Sequence, residues 1–460
     1  MRSSDTIAAI ASGLTPSGIG IIRVSGQEAV LSVNSIFEGK DLREEKHRGL
    51  FYGHIKADGN VIDEVIVLVM RSPKSYTGED VCEIQCHGGP FVMQKILKAV
   101  LDTGVRPAEP GEFTKRAFLS GRLDLAQAEA VMDIIRAENE KAAVISAKQI
   151  SGDLSEEIRF IRKTILNDTA RIEASLDDPE HLSLDGFQED FFPRLEDTIK
   201  KLGSLADSFE EGRILTEGIK TVILGKPNVG KSSIMNRLLG EERAIVTEYA
   251  GTTRDVIEEN LRMSGFSLKL VDTAGIHDTD EPVEKIGIEK ASAQAKEADL
   301  LFFVADSSDD FSEEDEEILS FLSGEELKDK KVIVLLNKSD LVQRTDAEFL
   351  RIKTGFPVFV ISAKEAQGIE EIKKYISELF MSGKIGDDSQ MIITNVRHQQ
   401  LLKEAAEHLK YVKKSMEDGM PEDFYTIDLM AAYEALGKIT GETAGEDLVN
   451  EIFSKFCMGK

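Results

Sequence analysis

The stretch Leu224-Gly225-Lys226-Pro227-Asn228-Val229-Gly230-Lys231-Ser232-Ser233 decides the fold of the middle of this chain. It fits the pattern G-x-x-x-x-G-K-[ST], in which glycines let successive backbone N–H groups surround phosphate oxygens. Lys231 would contact the β- and γ-phosphates of a nucleotide, and the Ser232 hydroxyl would bind a magnesium ion. The β-branched run at 219–224 predicts a short strand, and the sequence at 232–239 predicts a helix. Strand, loop and helix is the order that a phosphate-binding loop requires.

Two motifs further along the chain would complete the phosphate and magnesium site. Gly251-Thr252-Thr253-Arg254-Asp255 would form a first switch segment, with a threonine hydroxyl on the metal. Asp272-Thr273-Ala274-Gly275 follows a predicted strand at 267–271. Its aspartate would hold the metal, and Gly275 would respond to the γ-phosphate.

Another two motifs indicate which base is bound. Asn337-Lys338-Ser339-Asp340 follows a predicted strand at 332–336, and Ser362-Ala363-Lys364 would complete the base pocket. The carboxylate of Asp340 can accept hydrogen bonds from N1 and the amino group of guanine, which adenine does not offer. Five motifs in this order predict a P-loop α/β domain that binds GTP.

The group that positions the attacking water is not evident from these motifs. In Ras-like proteins a glutamine follows the second switch motif and orients this water, whereas the residue here is Ile276, which has no polar group. His277, Glu284 and Arg254 lie nearby in the sequence and could serve. Each is equally consistent with a solvated residue of a switch segment.

Composition limits the partners. The 460 residues carry 56 Lys+Arg against 83 Asp+Glu, a net charge of -27, and the length suggests roughly three domains. Non-specific binding to a nucleic acid backbone depends on cationic surface, so any RNA contact must be local or carried by a partner. We find no run of 18 apolar residues and no signal-peptide pattern, and we therefore expect a cytoplasmic protein without a membrane span.

Periodicity divides the chain into four segments. Residues 1–118 predict an α+β domain with strands at 19–24, 61–70 and 81–85 and helices at 28–37 and 91–102. Residues 119–212 and 382–460 are helical, with a capping box at Asp124 and Gln127 and an amphipathic helix through 158–176. Residues 213–381 hold the nucleotide motifs. This order predicts one helical domain interrupted by an inserted nucleotide-binding domain.

The cysteines admit two interpretations. Cys82 and Cys86, with His87, could offer three ligands to a metal, but no second pair follows at zinc spacing, so free thiols are favoured.

Several stretches outside the general nucleotide motifs carry a resemblance. They are DTIAAIAS with GIGIIRVSG, then TGEDVCEIQCHGGP, RPAEPGEFTKRAFLSGRLDLAQAEA, DTAGIHDTDEPVEKIGIE and the tail FCMGK. With them, essentially the whole chain resembles the bacterial MnmE (TrmE) family of tRNA modification GTPases. The resemblance implies that 1–118 is a dimerising, tetrahydrofolate-binding-like domain, that 119–212 and 382–460 form the helical domain, and that 213–381 is the GTPase domain.

The resemblance also implies a function. Members act as homodimers with the FAD-dependent partner MnmG, forming a heterotetramer. Together they add an aminomethyl or carboxymethylaminomethyl group to C5 of the wobble uridine of tRNA, using the one-carbon unit of a formyl or methylene tetrahydrofolate. FAD would enter only through the partner.

The resemblance further implies residue roles. A potassium ion would neutralise transition-state charge, bound by the Asn228 side chain and the carbonyls of Thr247, Tyr249 and Thr252, while Glu284 would orient the water. Magnesium would be bound by Ser232, Thr253 and Asp272. The motifs and the resemblance together give the GTP contacts as Asn228, Val229, Gly230, Lys231, Ser232, Ser233, Thr247, Thr252, Thr253, Asp272, Thr273, Ala274, Gly275, Asn337, Lys338, Asp340, Ser362, Ala363 and Lys364.

The folate site implied by the resemblance comprises Arg23, Glu83, Arg122 and Lys460. Arg122 stands where the family pattern has a lysine, which keeps the charge but changes the pairing geometry. By their residue types alone, Arg23 and Glu83 are equally ordinary strand charges. Cys457 would serve the modification chemistry or be a buried thiol.

Two other functions stay open on the sequence. A GTP-switched protein for ribosome assembly usually adds a basic RNA-binding module, whereas the residues after 381 are helical and not basic. A folate-binding regulator would need the first segment but no tRNA.

Overall fold

The computed structural model describes residues 5–178, 180–181, 186–239, 258–263, 266–271, 293–381, 391–456 and 459. The chain forms two compact units. The first comprises Met1–Ile135, Ala147–Gly203 and Gln400–Lys460, and the second comprises Arg136–Ser146 and Ser204–Gln399.

The first unit is built on a mixed sheet. Among the described residues it has seven strands in the order β3-β4-β5-β6-β2-β1-β7, antiparallel except for the short β1 and β7 pair. The strands are β1 (Ile7–Ile10), β2 (Ser17–Ser25), β3 (Phe37–Glu38), β4 (Arg48–Ala57), β5 (Asn60–Met70), β6 (Val81–Gly88) and β7 (Arg106–Pro107).

One face of this sheet is covered by two helices. Alternate residues of the central strands point to that face, and Val65, Val67 and Val69 of β5 are buried there. The covering helices are α1 (Ala29–Ile36) and α2 (Pro90–Leu101), whose Met93 and Ile96 belong to the same core. The predicted strands and helices of this segment are confirmed to within two residues, except that the strand predicted at 81–85 extends three residues further, to Gly88.

The remaining helices of the first unit pack by their apolar stripes. In the long helix α6 (Asp153–Asp177) the buried isoleucines recur at spacings of three, four and seven residues, and this face packs against α14 (Asp423–Thr440). The capping box at Asp124 and Gln127 is confirmed, because each backbone N–H donates to the other side chain, at 3.0 and 2.9 Å. The helices that lie wholly or partly in this unit are α3 (Glu112–Leu119), α4 (Leu125–Arg136), α5 (Glu140–Ser151), α6 (Asp153–Asp177), α7 (Phe187–Asp207), α13 (Val396–Glu417), α14 (Asp423–Thr440) and α15 (Glu446–Ser454).

The second unit is a parallel sheet with an antiparallel edge. Its described strands run in the order β13-β12-β11-β8-β10-β9, and only β9 is antiparallel to its neighbour. The central strands β11 and β12 are nearly continuous apolar runs, as expected for strands buried on both faces. The strands are β8 (Ile219–Leu224), β9 (Glu258–Met263), β10 (Phe266–Val271), β11 (Leu300–Asp306), β12 (Lys331–Asn337) and β13 (Val358–Val360).

Helices precede, separate and follow these strands along the chain. They are α8 (Phe209–Glu217), α9 (Lys231–Leu239), α10 (Glu313–Leu322), α11 (Ala347–Thr354) and α12 (Ile369–Met381). Because the carboxyl ends of β8, β11 and β12 meet at one edge of the sheet, the loops after these strands lie together there. The predicted mixture of a P-loop α/β domain with helical and α+β parts is confirmed as the fold class.

Candidate functional site

The phosphate-binding loop connects β8 to α9 and depends on two glycines. Gly225 has φ +155°, and a Cβ there would lie 2.5 Å from the carbonyl oxygen of Val304. Gly230 has φ +98°, and a Cβ there would lie 2.3 Å from Nδ2 of Asn337. Any side chain at these positions would push the loop away from β11 and β12, so the tight turn requires glycine.

The lysine of the loop lies against the loop's own backbone. Nζ of Lys231 donates to the carbonyl oxygens of Gly225, at 2.7 Å, and Lys226, at 2.9 Å. The ammonium group is therefore held at the concave side of the loop, where phosphate oxygens bind in sites of this kind. Ser232 follows on the exposed first turn of α9, where its hydroxyl is accessible to a magnesium ion.

A second lysine anchors the loop to the start of α10. Nζ of Lys226 lies 3.1 Å from Oδ2 of the buried Asp315 and 3.3 Å from Oδ2 of Asp309. Asp315 also forms the capping box of α10 with Ser312. Burial lowers the pKa of Lys226, but the hydrogen bonds and charges of Asp315 and Asp309 together outweigh this effect, and the net pKa is raised.

Asn337, at the end of β12, connects the phosphate-binding loop to the segment at residues 362–364, which is called the base loop below. Its Nδ2 donates to the carbonyl oxygen of Val229 at 2.8 Å, and its Oδ1 accepts from the backbone N–H of Ala363 at 3.0 Å. The side chain is 2% exposed. Because both partners of this buried side chain are backbone groups, phosphate and base recognition share one rigid connection.

The carboxylate predicted to read the base is also positioned. The hydroxyl of Ser362 donates to Oδ1 of Asp340 at 2.7 Å, and this hydrogen bond lowers the pKa of Asp340. The neighbouring Lys338 pairs with Asp306 at 2.6 Å. Asp340 is exposed and ionised near neutral pH, as acceptance of two hydrogen bonds from guanine requires.

A cavity of about 640 Å³ opens between the phosphate loop and the base loop. Its volume lies within the range of ordinary ligand pockets. The sequence motifs did not include Asn236, Arg237 or Leu341. The lining residues are Gly230, Ser233, Asn236, Arg237, Asn337, Lys338, Asp340, Leu341, Ala363 and Lys364.

Asn228 is described, whereas the other predicted potassium ligands are not. Asn228 has φ +63°, a left-handed conformation that asparagine tolerates better than most residues. Its side chain is exposed and has no hydrogen-bond partner within the described residues. The predicted residues that lie outside the described part of the chain are Thr247, Tyr249, Thr252, Thr253, Arg254, Asp272, Thr273, Ala274, Gly275, His277, Glu284, Cys457 and Lys460.

A second polar site lies in the first unit. Arg23 of β2 and Glu83 of β6 are direct partners across the sheet, with Nε and Oε1 2.8 Å apart. The Arg23 guanidinium lies 5.2 Å from the centroid of the Tyr76 ring, and that of Arg122 lies 5.0 Å from the same ring. Nη1 of Arg122 also donates to the carbonyl oxygen of Tyr76 at 2.7 Å.

The tail of the chain reaches this second site. Nη1 of Arg23 lies 3.4 Å from the carbonyl oxygen of Gly459. Three of the four predicted folate residues are thus either in contact with each other or gathered around Tyr76, and residue 459 joins them. Tyr76 could not be found from the motifs, because a tyrosine in a loop has no characteristic spacing.

The cysteine alternatives can be compared with the structure. Cys82 and Cys86 are buried, and burial raises the pKa of Cys82 to about 12 and that of Cys86 to about 11. Thiols with such pKa values are poor metal ligands at neutral pH. Where side chains are described, no group of three or more His, Cys, Asp or Glu could hold a metal.

Of the helices in the described parts of the chain, none is long and apolar enough to cross a membrane.

The parallel sheet, the loop after β8 and the pocket beside Asp340 define the class of a P-loop nucleotide-binding protein. Two family models match the chain: the GTP-binding protein TrmE N-terminus over residues 6–122, and the MnmE helical domain over residues 125–457. The chain belongs to the MnmE family of tRNA modification GTPases, and both the predicted family and the predicted enzyme class are confirmed.

Individual relatives match along their whole length. The tRNA modification GTPase MnmE of Lachnoclostridium phytofermentans is 51% identical over 461 residues, covering 99% of this chain and 100% of the relative. That of Carboxydothermus hydrogenoformans is 47% identical over 463 residues, covering 99% of each. Among solved structures, the G domain of the T. maritima FeoB iron transporter is 29% identical over 35% of this chain and 97% of that domain, with a TM-score of 0.27.

Proposed function

We propose that this protein binds and hydrolyses GTP, and that hydrolysis drives modification of the tRNA wobble uridine. The observation that carries the nucleotide proposal is the position of Asn337, which joins Val229 of the phosphate loop to Ala363 of the base loop. Asp340 beside it would accept from N1 and the amino group of guanine. The carboxylate therefore favours guanine over adenine, which lacks this pair of donors.

The phosphate end of the pocket would hold the nucleotide for hydrolysis. Lys231 would exchange its bonds to loop carbonyls for bonds to the β- and γ-phosphates, and Ser232, with Thr253 and Asp272, would bind magnesium. Magnesium, when bound, neutralises charge on the transferring phosphate. Glu284 would orient the attacking water, because Ile276 cannot.

Asn228 supports the proposal of a potassium ion at this end. Its side chain is exposed, and its backbone has a left-handed conformation that asparagine tolerates. Together with the carbonyls of Thr247, Tyr249 and Thr252 it would form an oxygen shell suited to an alkali cation. The ion would stabilise the charge that develops in the transition state, as an arginine does in other GTPases.

The test is GTP turnover in potassium against sodium at equal ionic strength. We expect turnover to fall at least tenfold in sodium for the wild type, and the Asn228→Ala variant to be equally slow in both salts. Asn60→Ala, at the exposed start of β5 in the first unit, is the matched control and should behave as wild type. Equal wild-type rates in both salts would refute the ion proposal and leave GTP binding unaffected.

The site around Tyr76 supports the proposal of a tetrahydrofolate ligand. Arg23 and Arg122 supply positive charge for the ligand's carboxylates, and Glu83 supplies an acceptor for the amino groups of its pterin ring. Lys460 and Cys457 belong to the same tail as Gly459, so contact between Gly459 and Arg23 supports a role for both at this site. Cys457 would act in the modification chemistry.

The partners follow from the same proposal. The chain would act as a homodimer with an MnmG-type FAD protein, and the net charge of -27 supports tRNA contacts that are local or made by this partner. Wobble-uridine analysis by mass spectrometry of tRNA from a deletion strain tests it. We expect loss of the C5 substituent, restored by the wild-type gene but not by an Arg23→Ala variant.

A further inference from the structure

Arg237 of α9 connects the two halves of the nucleotide pocket. It lies six residues after Lys231 on the helix that begins at the phosphate loop. Its Nε donates to the carbonyl oxygen of Ala363 at 2.7 Å, and Nη2 donates to the carbonyl oxygen of Lys364 at 2.8 Å. One guanidinium therefore holds two successive peptides of the base loop.

These two bonds fix the orientation of the peptide planes. In a trans peptide the carbonyl and the following N–H point in opposite directions, so both N–H groups are directed away from α9. The second of these N–H groups, that of Glu365, donates to Oγ of Ser362 at 3.1 Å. Ser362 in turn donates to Oδ1 of Asp340 at 2.7 Å. A continuous series of hydrogen bonds thus runs from Arg237 to the carboxylate that faces the base.

We propose that Arg237 is a positioning residue for guanine recognition, which acts by holding the base loop and, through Ser362, the carboxylate of Asp340. The inference rests on the proposed guanine nucleotide site. Arginine suits this role because its planar fork presents donors on two nitrogens at fixed separation, whereas all the donors of a lysine lie on one freely rotating nitrogen.

The role has a consequence that general destabilisation of the pocket would not have. The loop at 225–230 binds the phosphates, so it contributes equally to the affinity for every nucleoside diphosphate. Asp340, in contrast, distinguishes guanine from bases that lack its 2-amino group. Loss of Arg237 should therefore reduce the preference for GDP over IDP, which lacks that amino group, in addition to any uniform loss of affinity.

The experiment measures dissociation constants of GDP and IDP for the full-length protein in potassium and magnesium buffer. The variants are Arg237→Met, which removes both donating nitrogens, and Arg237→Lys, which keeps the charge but replaces the fork by one donating nitrogen. The matched control is Arg351→Met. Arg351 also donates to a backbone carbonyl in the same unit, that of Val358 at 3.3 Å, but Val358 belongs to β13 and not to the base loop.

For the wild type we expect a GDP preference of at least about tenfold, because the amino group binds a charged acceptor. Arg237→Met should reduce this preference by about threefold or more, Arg237→Lys should be intermediate, and Arg351→Met should keep the wild-type value. A wild-type protein that binds neither nucleotide overturns the proposed function itself.

A wild-type preference that persists unchanged in Arg237→Met overturns the inference alone. If Arg237→Met does not fold, as judged by circular dichroism, Arg237→Gln replaces it under the same criterion, since glutamine is shorter and has only one donating nitrogen in place of the fork. An unchanged preference in that variant overturns the inference equally.

Discussion

Replacement of Gly459 by alanine should uncouple the tail from the site around Tyr76. Gly459 has φ +84°, and a Cβ there would lie 2.2 Å from the carbonyl oxygen of Ile10 on β1. Real Cβ atoms do not approach closer than 3.0 Å, so the tail would have to move by about 0.8 Å. The carbonyl of Gly459 already lies 3.4 Å from Nη1 of Arg23, and this shift would break the contact.

The free-energy cost of Gly459→Ala has two contributions. Alanine in the left-handed region costs roughly 1–2 kcal/mol, and loss of the contact with a charged donor costs about 1 kcal/mol more. Because the last residues can detach without unfolding the rest, the free energy of unfolding should fall by no more than about 2 kcal/mol. Ligand affinity at the site should fall at least tenfold, which corresponds to about 1.4 kcal/mol.

The assay is calorimetric titration of the full-length protein with 5-formyl-tetrahydrofolate, accompanied by thermal unfolding and GTP turnover. Gly59→Ala is the matched control, because Gly59 has φ +78° but an added Cβ would meet nothing within 4 Å. Both variants carry the same backbone strain, and only Gly459→Ala carries the clash. We expect weak ligand binding with normal GTP turnover for Gly459→Ala, and normal values of both for Gly59→Ala.

Two results would refute this reasoning. Wild-type ligand affinity in Gly459→Ala would show that the tail does not contribute to the site. Equal losses in both variants would show that backbone strain, and not the contact between Gly459 and Arg23, sets the affinity.

Two further predictions concern the pocket and the stability of the first unit. Asp340→Asn should weaken GDP binding about a hundredfold and strengthen XDP binding, because the amide can donate to the 2-carbonyl of xanthine, as competition titration would show; an unchanged order of affinities would contradict the assignment of Asp340. In the cluster of α3, burial raises the pKa of Glu112, but hydrogen bonds from Arg106 and the buried Arg116 outweigh it, so the pKa is lowered from 4.5. The stabilisation from the ion pair of Glu112 with Arg116 is therefore present above about pH 4.5, and it is lost as the pH falls through the lowered pKa of Glu112. Arg116→Met should cost about 3–5 kcal/mol in urea unfolding at pH 7, with a smaller difference near pH 3, and a difference independent of pH would contradict the pairing.

The nucleotide-binding half was the more predictable half from sequence. Its signals are local: the run at 219–224 is the strand β8 as the structure has it, and Asn337 ends β12 as predicted. A phosphate-binding loop must read strand, glycine-rich turn and helix in immediate succession, so spacing alone carries the geometry. The role of Arg237 could not be predicted in this way, because its partners lie about 126 residues away in the chain. They are also backbone carbonyls, which every residue has, so no residue type marks them.

The first unit was harder because its contacts are distant in the chain. No strand was predicted over β4, since Leu50 and Tyr52 on its open face are as apolar as Phe51 and Ile55 on the buried face and the alternation is lost. The pairing of Arg23 with Glu83 depends on the register of β2 against β6, which no local pattern sets. The boundaries of the four predicted segments stay predictions.

The assembly of the first unit from separated stretches has a consequence for synthesis on the ribosome. The apolar face of α6, with Ile158, Ile161 and Ile165, is complete once Asp177 has emerged, but its packing partner α14 begins only at Asp423. At 5–20 residues per second, the roughly 246 residues between them take about 12–50 seconds to translate. During that interval the α6 stripe lacks the cover that α14 gives it, while the strands β8 to β13 emerge. The nascent chain is therefore most exposed to holdase chaperones while its nucleotide-binding sheet is being made.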